Sequence, residues 1–360
     1  MTWQRVAMKA RETLIKLSRA ISAPIYSGSY KGASPLVQLF PSWSCMRIVA
    51  LSLSAAAAWS NLALAQEKYP AQPVTTIVPF TAGGGVDILS RALALELGKL
   101  LGQSFIVVNR DGAAGTIGFA QLAQAKPDGY TIAISPATPM TNSPHLTKNL
   151  AYSFDSFVPV CASFDNEFAV LVNQASPYRT LKELVDDAKA KPGKLSWGSV
   201  GYGSIPHLSG AALVKAASIE VNNIPYRGDA QMLPNLISGE LTFGVGAMSS
   251  IAGRGLRPLV VFSEKRHPGA PDVATVLELG YPNVAPGLNG VFATRGTPEA
   301  ILDTLEKTCE QAVRSETYRS QSEKLHQTPK FEGRVDFARR LRADFEAKAR
   351  LVKELDLKPQ

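Results

Sequence analysis

The sequence predicts an α/β protein built as two lobes with a ligand cleft between them. Three observations predict it. Strand and helix patterns alternate from about residue 74 onward, as they do in a parallel sheet of βαβ units. The β-rich run Thr75–Phe80 passes directly into Thr81-Ala82-Gly83-Gly84-Gly85-Val86-Asp87 and then into a long apolar helical pattern. A second Gly-rich strand exit, Gly201-Tyr202-Gly203-Ser204-Ile205-Pro206-His207, follows in the other half of the chain. Each loop ends at a helix N-terminus, whose free N–H groups favour an anion. One such loop per half suggests a cleft between them.

The elements follow in order. Strands are expected over about 74–80, 104–108 and 130–134, with helices over about 86–101 and 115–125 between them. Pro127-Asp128-Gly129 is a turn, because Pro fixes φ and Gly allows a positive one. Residues 135–149, rich in Pro, Ser and Asn, are expected to be a connecting loop. Two β-rich pieces, Phe157–Ala162 and Phe168–Val172, flank the polar Ser163–Glu167, where the chain is expected to cross between lobes. Thr180-Leu181-Lys182-Glu183 is a capping box that starts a helix with Leu181, Leu184, Val185 and Ala188 on one face. Strands at about 195–199, 220–224, 241–245 and 258–262 alternate with helices at about 207–217 and 229–238. Residues 268–290 return the chain, and Gly290–Ala293 re-enter the first lobe. Helices over about 297–314 and 334–355 close the sequence, the last with Phe337, Leu341, Phe345, Ala349 and Val352 on one stripe.

The N-terminal segment stands apart. Met46-Arg47, the apolar run from Ile48 to Trp59 and Ala63-Leu64-Ala65 form the charged start, apolar core and A-x-A site of a secretory signal peptide, cleaved after Ala65. Residues 1–45 read either as a long charged preamble or as an upstream start chosen in error; the second is preferred, because Met46-Arg47 alone completes the pattern. Seven Lys/Arg and one Glu lie in residues 1–65, so their removal leaves +2 of the formal +8. A basic face for nucleic acid therefore loses its support. Residues 66–360 suffice for two domains of roughly 100–200 residues each. The expected division is residues 66–166 plus 288–360 for the first lobe and 167–287 for the second. Cys161 and Cys309 could pair in an oxidising compartment; they are read instead as small core residues, because Cys309 is in register with Leu302, Leu305 and Ala312.

Few residues suggest chemistry. Gly83-Gly84-Gly85 matches neither G-x-G-x-x-G nor a P-loop, yet three adjacent glycines suit a loop whose backbone approaches a ligand. Asp87 falls in the first helical turn, either as a dipole partner or as a carboxylate that orients the loop or accepts from a ligand amine or hydroxyl. Ser204 is placed as an N-cap and could also bond a bound carboxylate. His207 is open between a structural and a functional role. Arg227, after Tyr226, suits bidentate carboxylate recognition or a surface pair with Asp229. There is no G-x-S-x-G, H-E-x-x-H or Cys-x-x-Cys, and the four histidines lack metal-ligand spacing. The expectation is a binding protein, not an enzyme, with no cofactor and no metal.

The sequence resembles the Bug-type periplasmic receptors of tripartite tricarboxylate transporters over nearly all of 68–355. The resemblance rests on Tyr69-Pro70 and Pro73; Val78-Pro79-Phe80 with Gly83–Gly85 and Asp87; Asn109-Arg110, Gly112-Ala113 and Gly115–Gly118; and Ala125–Thr131. It continues through Phe157–Val160, Gly201–Ser204 with His207-Leu208, Ile224–Gly228, Lys265-Arg266, Pro271–Val273, Thr275-Val276, Glu278–Tyr281 and Gly296–Pro298. The resemblance implies a type II periplasmic-binding-protein fold, whose two α/β lobes close on a small carboxylic acid. It implies that Phe80, Thr81, Gly84, Gly85 and Asp87 clamp the ligand together with Gly201, Gly203, Ser204 and His207; Tyr226 and Arg227 complete the expected site. The implied partners are a large and a small membrane subunit, with a membrane sensor kinase as the alternative, and the chain is expected to be a monomer. Val86 stands where Thr is common and Leu288 where Trp is usual, and both bear on which acid is bound. Asp111 and Ala212 replace a frequent Pro and Glu.

Overall fold

The computed structural model describes residues 69–251, 254–284 and 286–360. The signal-peptide expectation for 46–65, and that for 1–45, lie outside the described residues.

Two sheets organise the chain, and each contains a run of three parallel strands. The first holds β1 (Val74–Val78), β2 (Phe105–Asn109), β3 (Thr131–Pro136), β4 (Phe157–Asn166), β10 (Gly287–Thr294) and β11 (Thr328–Gly333), in the order β11-β4-β10-β3-β1-β2. The second holds β5 (Phe168–Asn173), β6 (Ser196–Ser199), β7 (Asn222–Pro225), β8 (Phe243–Ala247) and β9 (Leu256–Phe262), in the order β7-β6-β8-β5-β9. In the first, β1 pairs in parallel with β2 and β3. In the second, β6 pairs in parallel with β7 and β8. The parallel βαβ pairing expected from the alternating elements holds for these strands, and others are added to it: β10 runs antiparallel to β3 and β4, and β5 antiparallel to β8 and β9. In the first sheet β4, which leaves, shares the direction of β3, and β10, which returns, lies between them and runs the other way.

The central strands of both sheets are buried on both faces, which accounts for their near-continuous apolar sequences. Along β5, Phe168, Val170 and Val172 enter one core cluster while Ala169 and Leu171 enter another. Along β3, Ile132 and Ile134 separate in the same way from Ala133. That is the two-residue period of a strand.

Helices α1 (Gly85–Leu101), α2 (Thr116–Gln124), α5 (Leu181–Ala190), α6 (Ile205–Ala217), α7 (Asp229–Ser238) and α8 (Glu299–Arg314) follow the expected pattern. The capping box at Thr180 and Glu183 forms in both directions. The loop expected over 135–149 is corrected: α3 (Thr138–Thr141) and α4 (Ser143–Leu146) each wind one turn, both with Pro at a first position, where no N–H is needed. Helix α9 (Glu316–Lys324) and β11 go beyond the sequence expectation. Their sequence is mostly polar, and β11 is a half-exposed edge strand. The last helix, α10 (Arg334–Glu354), buries Phe337 and Leu341 beside the first sheet and Val352 in the core of the second lobe.

Cys161 on β4 and Cys309 on α8 form a disulfide, which corrects the reading of two separate core thiols. The register with Leu302 and Leu305 does hold, and both cysteines are fully buried. A buried helix face laid across a strand is compatible with either reading, so periodicity alone cannot choose.

The two crossings between sheets lie side by side. Asn166, the last residue of β4, pairs with Gly287, the first of β10. Glu167 then leads straight into β5.

Candidate functional site

A cleft lies at the carboxyl ends of the strands, where open α/β sheets place their ligands. Its walls come from both lobes and from the crossing. The β1–α1 loop gives Phe80, Thr81 and Gly84–Asp87; the end of β3 gives Pro136 and Thr138. The crossing strands give Asn166, Phe168, Gly287 and Asn289. The β6–α6 loop gives Val200 and Ser204–Pro206, and α7 gives Asp229.

Three helices of useful length thus point their N-termini at one space. They are α1 with 17 residues, α6 with 13 and α7 with 10. The caps of α1 and α7 are Gly84 and Gly228, which offer no side-chain acceptor. Their first N–H groups are left for another partner. Ser204 caps α6 by accepting from His207 N–H at 3.3 Å. No Lys, Arg or His lines the cavity among the described residues. Such a site attracts an anion through backbone dipoles instead of cationic side chains.

The three glycines of the first loop do three different things. Gly83, at φ +83°, turns the chain and donates its N–H to Asp87 Oδ2 at 2.9 Å. Gly84 lines the cavity. Gly85 lies so close to the other lobe that a Cβ there would overlap Ser249 Oγ and stand 2.8 Å from Ser249 Cβ. The reciprocal contact is Gly228, where a Cβ would overlap Thr81 Oγ1.

Asp87 holds this loop in shape. Its Oδ2 accepts from Gly83 N–H and from Arg91 Nε at 3.0 Å, and its Oδ1 accepts from Asn109 Nδ2 at 2.8 Å. Asn109 also donates to the carbonyl of Phe80 at 2.9 Å. Burial pushes the Asp87 carboxyl up, but the bonds from Arg91, Gly83 and Asn109 outweigh it and hold the group below the usual carboxylate range. Of its two readings, the geometry is that of the loop-orienting carboxylate.

The second loop is arranged differently from expectation. Ser204 lines the cavity; Gly201, Gly203 and His207 do not. Gly201 lies against Ala114 of the first lobe, and the Gly203 carbonyl accepts from Asn142 Nδ2 at 2.8 Å. His207 is buried behind the loop, stacked on Trp197 with ring centroids 6.0 Å apart, and its Nδ1 accepts from Gly203 N–H at 3.3 Å. Burial holds its imidazole down at about 4, so the ring is neutral and can accept that bond.

Tyr226 and Arg227 also lie off the cavity. The Tyr226 hydroxyl accepts from Asn235 Nδ2 at 2.8 Å. Arg227 is exposed, and its backbone N–H donates to Gln231 Oε1 at 3.3 Å. The residue of this stretch that reaches the cavity is Asp229. In the sequence it stands only as a partner for Arg227, although its place at the start of a helix pattern after Gly228 is a usable signal. The crossing residues Asn166, Phe168, Gly287 and Asn289 fall outside the expected site as well, and only pairing across the sheet brings them together.

Among the described residues no group of three or more His, Cys, Asp or Glu could hold a metal ion. No described helix is long and apolar enough to cross a membrane.

Two α/β lobes joined by paired crossing strands, with a cavity between them, define a two-lobed binding-protein fold. Residues 89–357 match the tripartite tricarboxylate transporter family receptor, and the chain belongs to that family. It is 32% identical to the protein BugT of Bordetella pertussis over 69% of this chain and 78% of that protein. The periplasmic binding protein BugD superposes with a TM-score of 0.77 at 29% identity, covering 81% of this chain and all of that one (100%). MatC from Rhodopseudomonas palustris with bound malate superposes with a TM-score of 0.74 at 26% identity, covering 79% of this chain and 100% of that one.

Proposed function

We propose that this protein captures a small carboxylic acid in the cleft between its lobes and delivers it to the large and small membrane subunits of a tripartite tricarboxylate-type transporter. The observation that carries this reading is the meeting of three helix N-termini, two of them capped by glycine, in a cavity with no cationic side chain among the described residues. That arrangement suits a compact oxyanion with a modest charge. Family membership and the malate in MatC support a carboxylate.

In this reading Phe80, Thr81, Gly84, Gly85 and Asp87 from one lobe and Ser204 from the other form the clamp. Gly201, Gly203 and His207 set the shape of the second loop, and Tyr226 and Arg227 flank the helix that presents Asp229. The lobes, residues 66–166 with 288–360 and residues 167–287, close about the paired strands at Asn166 and Gly287. The protein works as a monomer in the periplasm, exported by the segment 46–65 and cleaved after Ala65. It returns its ligand unchanged and uses no cofactor.

The test is a calorimetric titration of the purified protein with a panel of small carboxylic acids and, as controls, inorganic phosphate and sulfate. Saturable one-to-one binding of an acid is expected. Binding of phosphate or sulfate but of no carboxylic acid would refute the proposal.

A further inference from the structure

The second cavity loop is tied down by partners far from it in sequence. Gly201 and Gly203 sit in the left-handed region, at φ +101° and +78°, on either side of Tyr202. Two glycines in three residues make such a loop costly to order. Asn142, fully buried between α3 and α4, donates from Nδ2 to the Gly203 carbonyl at 2.8 Å. The Tyr202 hydroxyl donates to the Lys358 carbonyl at 2.9 Å, in the segment that follows α10. The Tyr202 ring also lies 4.8 Å, centroid to centroid, from that of His207, which holds the Gly203 N–H. The segment after α10 is itself bound to α4 and the residues beyond it. The Gln360 N–H donates to the Leu146 carbonyl at 3.0 Å, and the Lys148 N–H donates to the Gln360 carbonyl at 2.8 Å. Leu351, Leu355 and Leu357 seat the segment on the apolar core of the second lobe, which Leu146 also enters. The bonds thus run in a ring from Asn142 to Gly203, from Tyr202 to Lys358 and from Gln360 back to Leu146 and Lys148.

We infer that Tyr202 is a positioning residue of the binding site: through residues 358–360 it fixes the loop that presents Ser204 to the cleft, and so slows the departure of what is bound there. Tyr202 does not line the cleft, whereas Ser204, two residues on, does. Asn142 holds the same loop from the other side, through a buried bond. The Tyr202 bond is exposed, so its effect is modest, but the removal of a single oxygen atom abolishes it. Contacts that hold one wall of a binding site act mainly on dissociation, because encounter does not depend on them.

This inference rests on the reading of the cleft as a binding site, and the experiment separates the two. Tyr202→Phe, deletion of residues 358–360 and the two changes combined are compared with the unaltered protein. Amide hydrogen exchange over residues 200–208 is measured without ligand, with β3 as the internal reference. Tyr202→Phe and the deletion are each expected to speed exchange of the loop ~2–5-fold and to leave β3 unchanged. The combined variant is expected to match the deletion alone, because Tyr202 acts through Lys358. Malate dissociation, followed by stopped flow, is expected to quicken ~2–5-fold in each variant, with association within ~1.5-fold of the wild type. Loop exchange unchanged in either single variant, a rise shared by β3, a combined effect greater than that of the deletion, or a faster loop with unchanged malate dissociation overturns the inference. The exchange measurement needs no ligand, so it decides on the loop by itself; failure of the carboxylate reading shows instead as the absence of acid binding by the wild type.

Discussion

Asp87 shows how much one side chain can organise here. It joins a turn N–H, a helix arginine and a strand asparagine, and the asparagine in turn fixes the Phe80 carbonyl. Replacing it by Ala orphans the Gly83 N–H and leaves Asn109 Nδ2 with the Phe80 carbonyl alone, which costs about 1–3 kcal/mol. The fold should survive, while affinity for the acid falls at least ~10-fold because the first loop is no longer held. Unchanged affinity in a titration of Asp87→Ala would return Asp87 to a mere helix-dipole role. His207 offers a pH test. Its imidazole titrates near 4 in the folded chain against 6.5 ordinarily. Between those values the unfolded chain binds more protons. Stability is therefore full above about pH 6.5, declines as pH falls towards 4 and levels off below, a loss of ~3 kcal/mol from this group. Denaturant unfolding of wild type and His207→Gln across that window checks it, since the variant should lose this part of the slope. An identical slope would contradict a neutral, buried His207.

Among the elements, those with strong periodicity are legible from sequence and those made by pairing are not. Helix α8 announces itself through Leu302, Leu305 and Ala312, and α5 through its capping box. Helix α9 and β11 carry too few apolar residues to show a period, and β11 exists because β4 offers an edge to pair with. The same limit applies to the site. The glycine loops are readable as local strand-to-helix turns. Asn166, Phe168, Gly287 and Asn289 meet only because β4 and β10 pair, a fact of topology that no local pattern encodes. The disulfide belongs to this scale too. It ties β4 to α8 across 148 residues of sequence. Replacing both cysteines by Ala should cost about 2–5 kcal/mol, less than the loop length alone suggests if the denatured chain keeps structure. Chemical denaturation of the double variant measures it, and a cost near zero would mean that α8 is held by its apolar face alone.

For the molecule as a whole, the close approaches of Gly85 to Ser249 and of Gly228 to Thr81 imply that closure depends on bare backbone at both places. If the lobes part and close as proposed, Gly85→Ala adds a Cβ that meets Ser249 in the closed arrangement. Its melting temperature without ligand should stay near the wild-type value while affinity drops ~10-fold or more. Equal affinity in the two proteins would show that closure tolerates the methyl group. A reporter is built in. Trp197 is the only tryptophan among the described residues, and it stacks on His207, whose ring holds the Gly203 N–H of the second loop. Binding that moves this loop should alter its fluorescence.

On the proposed function, the cleft between the lobes binds a small carboxylic acid and gives it back unaltered. The most direct measurement is a titration of the purified protein with a panel of such acids, followed by Trp197 fluorescence and by thermal unfolding, with the recovered ligand identified by mass. At least one acid should bind saturably, change the fluorescence and, at about 100 times its Kd, add about 2.7 kcal/mol of stability. No response to any acid, or recovery of a chemically altered one, would contradict it.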